Sequence, residues 1–145
     1  MADTTHPAQV GGKHYTLAYD VWSLAMDTRM PFSQANVLKY YTRAPAKNGA
    51  EDAEKAICYL DGLYRHAEGS GDQPAPAYGE EYIQWCHACT ARFLDQLNLA
   101  PAVRAALTMV ATWHLLEGVP EARVRMYSAA RTECEKLLQE LKGRA

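Results

Sequence analysis

The sequence predicts an all-α protein, five or six helices in a compact bundle, on three observations. Apolar residues recur at three- and four-residue spacing in one segment after another, which is the period of a helix with one buried face. Prolines and glycines punctuate those segments. No run of alternating apolar and polar residues bounded by turn residues marks a half-buried strand.

Taken in order, residues 1–12 are small and polar, hold Pro7 and Gly11-Gly12, and have no face to bury, so they are expected to form a flexible tail. Leu17, Val21, Leu24 and Ala25 predict a first helix that Pro31 stops near Met30. Ser33 stands where an N-cap belongs, its hydroxyl able to accept from a free amide, and predicts a second, short helix reaching Ala44 before Pro45. Glu51 and Asp52 suit the positive end of a third helix, whose buried stripe is Ala53, Ala56, Ile57, Leu60 and Leu63, ending near Ala67. Gly69, Gly71, Pro74 and Pro76 mark the longest interruption. Three further helices follow at 80–97, 101–117 and 120–141, with Pro101 and Pro120 placed in first turns, where proline costs nothing. The tail therefore precedes one expected domain over 13–145, whose parts are 13–67 and 78–145.

Length and composition bound the function. A chain of 145 residues with 48% hydrophobic residues can bury a core without disulfides or a metal. A net charge of -2 argues against coating a nucleic-acid polymer by electrostatics alone. Cys58, Cys86, Cys89 and Cys134 are too few and too unevenly spaced for a secreted disulfide framework. With no signal-like start and no membrane-length apolar run, the expected setting is cytoplasmic, without a membrane partner.

The polar pattern of the second helix is the most informative. Asn36, Lys39, Tyr40 and Arg43 share one face, while Val37, Leu38 and Tyr41 point elsewhere. An ammonium and a planar guanidinium fork beside an amide and a phenol suit an anionic ligand, phosphate first of all. The plain alternative is a solvated basic face. On the third helix Asp52, Lys55 and Tyr59 also share a face, so a helical hairpin is expected to bring Lys55 close to Lys39 or Arg43. A weak surface contact between Asp52 and Lys55 is the competing expectation.

Three blocks carry a resemblance: Gly12-Lys13-His14-Tyr15, Ala35-Asn36-Val37-Leu38-Lys39-Tyr40 through Arg43-Ala44, and Glu51-Asp52-Ala53-Glu54-Lys55-Ala56-Ile57-Cys58-Tyr59-Leu60. In this order, over about residues 12–64, they resemble the SaV-like family of small tailed-phage proteins, commonly described as nucleotide-kinase-like. Ala35, Pro45 and Cys58 depart from the residues usual there, Gly, Gly and Trp. The resemblance implies a nucleotide pocket formed or bordered by His14, Tyr15, Asn36, Lys39, Tyr40, Arg43, Asp52 and Lys55. Lys39 and Arg43 would hold phosphate, Lys55 would add charge, Asn36 would bond a base or ribose, and His14 would donate to phosphate. Tyr15 or Tyr40 would stack on a base. The function expected is that of a phage-type nucleotide-binding protein in the host cytoplasm, with two variants. One is a nucleoside monophosphate kinase using ATP and Mg. The other is a non-enzymatic sponge that sequesters a nucleotide signal of host defence, a cyclic oligonucleotide or an ADP-ribose derivative.

Phosphoryl transfer needs two nucleotides in line and ordinarily a metal. Gly12-Lys13 lacks the Walker context, because His14 follows and no Gly lies five residues before Gly12. Asp52 with Glu51, or Asp20, offers carboxylates for Mg, although acids at a helix start are more often dipole partners. An all-α pyrophosphatase needs paired acids on two helices, and beyond Glu51 and Glu54 the second pair is missing. Cys86 and Cys89 align with Tyr82 and Phe93 on an apolar stripe, which favours packing over zinc. His114, in line with Val103, Leu107 and Val110, reads as a core or interface histidine. The surplus of amphipathic helix and of aromatics such as Trp85 and Trp113 predicts a homo-oligomer.

Overall fold

The computed structural model describes residues 17–46, 48–69, 78–116 and 118–144. His14, Tyr15 and the expected tail at 1–12 lie outside these. Among the described residues there are seven helices and no strand: α1 (Val21–Thr28), α2 (Phe32–Arg43), α3 (Ala50–Gly69), α4 (Glu80–Asp95), α5 (Pro101–Ala111), α6 (Trp113–Leu116) and α7 (Pro120–Gly143). The all-α class stands, with more helices than the five or six expected.

Each departure has a local cause. The first helix begins at Val21 rather than Leu17. Gln96, just beyond α4, accepts from the Tyr19 amide at 2.9 Å and donates to the Tyr19 carbonyl, so that peptide is committed across the fold. Asp20 then caps α1, its carboxylate accepting from the Ser23 amide. At the other end Arg29 takes a left-handed conformation, φ 53°, and closes the helix before Met30. Ser33 is not the cap of α2; that helix begins at Phe32 with Pro31 as its cap residue, which leaves Ser33 inside the first turn.

The helix expected over 101–117 is broken at Thr112 (φ -109°, ψ 12°) into α5 and α6. The cause is tertiary. The Ala111 carbonyl accepts from the Gln34 side chain of α2 at 2.8 Å, and the Leu115 amide bonds to Thr112 three residues back. A distant amide has claimed a carbonyl that the ladder would otherwise use.

The α2–α3 hairpin is packed along its length, α3 lies against α7, and α7 against α5, while α1 rests on α4 and α2 also meets α5. One core joins them. Val37, Leu38, Ala56, Leu60, Phe93, Val110 and Trp113 are among its buried members, together with Ala130 and Cys134 of α7. The alanine and leucine stripe of α3 is buried as its spacing predicts, and so are Val37, Leu38 and Tyr41 of α2. Their burial turns the opposite edge of the hairpin outward, and that edge carries the candidate site. Among the described residues no helix is long and apolar enough to cross a membrane.

Candidate functional site

The site is built on one ring. Tyr40, on the outer edge of α2, has the Lys39 ammonium 4.6 Å, the Arg43 guanidinium 5.0 Å and the Lys55 ammonium 5.4 Å from its ring centre. Lys39 and Arg43 reach it because they lie one and three residues away on the same helix. Lys55 reaches it from α3 because the hairpin sets the two helices side by side. The negative face of an aromatic ring attracts cations, which gives these three a common seat.

Tyr59, one turn beyond Lys55, stacks on Tyr40 with centroids 5.8 Å apart and planes 10° from parallel. Phe32, in the first turn of α2, meets Tyr59 edge-on at 6.0 Å and 79°. Sequence reasoning placed Tyr59 on the face of Lys55 but gave it no role, and it passed over Phe32 altogether. The signal for Phe32 was its position, four and eight residues before Asn36 and Tyr40 on one helix face.

Asp52 differs most from expectation. Its hydrogen-bonded ion-pair partner is Arg43, and Lys55 acts on it through charge; its side chain is 0% exposed and receives two hydrogen bonds from Arg43, from Nε to Oδ2 at 3.0 Å and from an Nη to Oδ1 at 3.2 Å. Burial alone would push its carboxyl up, but the hydrogen bonds and charge of Arg43, with a further bond from Asn48, outweigh burial and hold it below the ordinary carboxylate range. Arg43 is thus clamped in a bidentate fork, with 12% of its side chain exposed. Lys55 pairs instead with Glu51, one turn back on α3, at 3.1 Å. That hydrogen bond raises its pKa, so the ammonium is charged throughout the neutral range.

The structure therefore brings Lys39, Tyr40, Arg43, Asp52 and Lys55 together. Asn36, one turn before Tyr40 on α2, is buried, with 7% of its surface exposed. The acids considered for Mg each have a structural partner: Asp20 caps α1, Asp52 clamps Arg43 and Glu51 pairs with Lys55. These residues do not fit a protein-held magnesium. No group of three or more His, Cys, Asp or Glu suited to a metal occurs among the described residues. Cys86 and Cys89 are buried free thiols, and burial pushes both up, keeping them protonated at neutral pH.

His114 is buried in a separate network. Its Nδ1 faces the Gln34 amide nitrogen at 2.8 Å, and its Nε2 faces the Tyr82 hydroxyl at 3.1 Å. The Tyr82 hydroxyl donates its only hydrogen to the Thr28 carbonyl at 2.6 Å, so Nε2 must carry the proton and Nδ1 must accept. Burial lowers the pKa of the ring, in keeping with that neutral tautomer.

Comparison with known proteins gives one family match. A family model described as a protein of unknown function, DUF3310, matches residues 6–61, a stretch that contains α1, α2 and the first part of α3. No curated protein and no solved structure matches the chain.

Proposed function

We propose that this protein binds a phosphorylated nucleotide on the outer edge of the α2–α3 hairpin, with Lys39 and Lys55 holding phosphate oxygens above Tyr40. The observation that carries this reading is the convergence of three cations on one ring. Asp52 and Glu51 offset two of these charges, and the net positive charge that remains suits a phosphate, which accepts a hydrogen bond from each ammonium. The resemblance to the SaV-like phage family is what makes the phosphate that of a nucleotide and the setting the host cytoplasm. Arg43, committed to Asp52, contributes charge and a rigid edge more than a free fork.

The test is calorimetric titration of deoxynucleoside monophosphates. Lys39→Ala and Lys55→Ala should each weaken binding by about ten- to a hundredfold, the worth of a hydrogen bond to a charged group. Unchanged affinity in both variants overturns the site. Incubation with ATP and Mg, with products resolved by ion exchange, then reads turnover; diphosphates would mark a nucleoside monophosphate kinase.

One observation favours the second reading, a sponge that sequesters a nucleotide of host defence. Glu51 and Asp52 offset two of the three cations and leave one net positive charge among these five groups. That balance suits a phosphodiester, with one charge per phosphorus, better than a polyphosphate. A cyclic dinucleotide bound tightly and released intact on heating supports this reading over the kinase.

A homo-oligomer belongs to the same proposal. Trp22 and Met26 of α1 and Trp85 of α4 are at least half exposed and offer apolar surface of the kind subunits bury. Light scattering after gel filtration should give a mass of at least twice 16.1 kDa; a mass equal to one chain rejects it.

A further inference from the structure

We propose that Phe32 and Tyr59 form an aromatic subsite that stacks the nucleobase of the ligand, an inference that rests on the nucleotide reading above and adds to it the part of the ligand that is not phosphate. Phe32 is 73% exposed, the most of any large hydrophobic side chain among the described residues, in a fold that has buried Trp113 and Phe93. It is also continuous with the cation cluster: Phe32 meets Tyr59 edge-on, Tyr59 stacks on Tyr40, and Tyr40 seats Lys39, Arg43 and Lys55. The surface therefore runs from an apolar ring to a cationic end within a few residues of two neighbouring helices.

A nucleotide has the same polarity, with a flat apolar base at one end and a phosphate at the other. An inorganic phosphate or a sugar phosphate would use only the cationic end and leave Phe32 in water. Stacking recognises the face of a base, which all bases possess, rather than its hydrogen-bonding edge. The subsite therefore supplies affinity without choosing strongly among bases, and purines gain more than pyrimidines because their faces are larger.

The experiment compares Phe32→Ala with the unaltered protein against four deoxynucleoside monophosphates and against deoxyribose 5-phosphate as a base-free probe. Phe32 is exposed, so the variant should keep its far-UV circular dichroism and unfolding midpoint. The expected result is a loss of about five- to 150-fold in affinity for every nucleotide, no change for the sugar phosphate, and recovery of nucleotide binding in Phe32→Trp. If nucleotides bind the unaltered protein and Phe32→Ala binds them equally well, the subsite is overturned and the phosphate grip stands. If neither nucleotides nor the sugar phosphate bind the unaltered protein, the functional reading itself fails, and the subsite fails with it.

Discussion

Arg43→Ala is expected to lower the stability of the protein by about 3–5 kcal/mol, the usual cost of removing one partner from a buried ion pair. The Asp52 carboxylate is fully buried and takes two hydrogen bonds from Arg43 across the turn between α2 and α3, so the variant strands a charge that burial penalises. Urea unfolding monitored by circular dichroism reads the loss. Asp52→Asn in the same background should restore part of it, because the amide carries no charge, and the double-mutant cycle isolates the coupling.

The pH dependence gives a second check. In the unaltered protein the folded pKa of Asp52 is depressed, so its contribution is fully present above the ordinary carboxylate range and disappears as the pH falls through the lowered value. Without Arg43, burial is opposed only by the Asn48 hydrogen bond and the Lys55 charge, so the folded pKa of Asp52 should move up and the variant should lose less stability on acidification than the unaltered protein does. A stability within about 0.5 kcal/mol of the unaltered protein, as surface substitutions give, would show that the pair does not hold the hairpin. Arg43→Ala is for the same reason a poor probe of ligand binding, and Lys39 and Lys55 are the better ones.

The second large effect concerns His114. Its Nδ1 accepts from Gln34 while Nε2 donates to Tyr82, and every neighbouring hydrogen is already assigned. Protonating Nδ1 would set an N–H against the Gln34 amide. Turning that amide over would point its oxygen at the Ala111 carbonyl. Among the described residues, Tyr78, edge-on to the imidazole, and the nearby Tyr82 and Arg29 bring no carboxylate to welcome a positive ring.

The folded pKa is therefore depressed below the ordinary 6.5 of histidine, and the unfolded chain binds the proton more readily. Stability is fully present above about pH 6.5 and falls as the pH drops toward the folded value, with a slope approaching about 1.4 kcal/mol per pH unit. Urea unfolding between pH 7.5 and 5 measures it. In His114→Gln the amide can still accept from Gln34 and donate toward Tyr82 but has no proton to gain, so its profile should be flatter. Equal slopes in the two proteins would remove His114 as the cause.

What the sequence disclosed and what it withheld divide along a physical line. The buried stripe of α3 and the proline punctuation of α5 and α7 are local signals, and they placed those helices within a few residues. The shared face of Lys39, Tyr40 and Arg43 was legible for the same reason, since helical spacing fixes it. The break at Thr112 was not, because its cause is a Gln34 side chain 77 residues away in sequence. Nor was the role of Asp52 as the buried mate of Arg43, which depends on how closely two helices approach. Ser33 misled because a hydroxyl near a helix start resembles a cap, whereas the cap residue is Pro31 and the helix begins two residues earlier than a Ser33 cap would start it. Phe32 has no local signal of its own, because its edge-on meeting with Tyr59 exists only once α2 and α3 lie side by side.

Two of the three positive groups around the Tyr40 ring are already answered by carboxylates, Arg43 by Asp52 and Lys55 by Glu51, so the edge of the hairpin keeps one net positive charge among the five groups. On the nucleotide reading proposed above, a bound anion would offset that charge, and occupancy should then be felt as heat resistance as well as contact. Simple salt should in turn weaken the exposed Lys55–Glu51 pair, which its ions screen, far more than the buried Arg43–Asp52 pair.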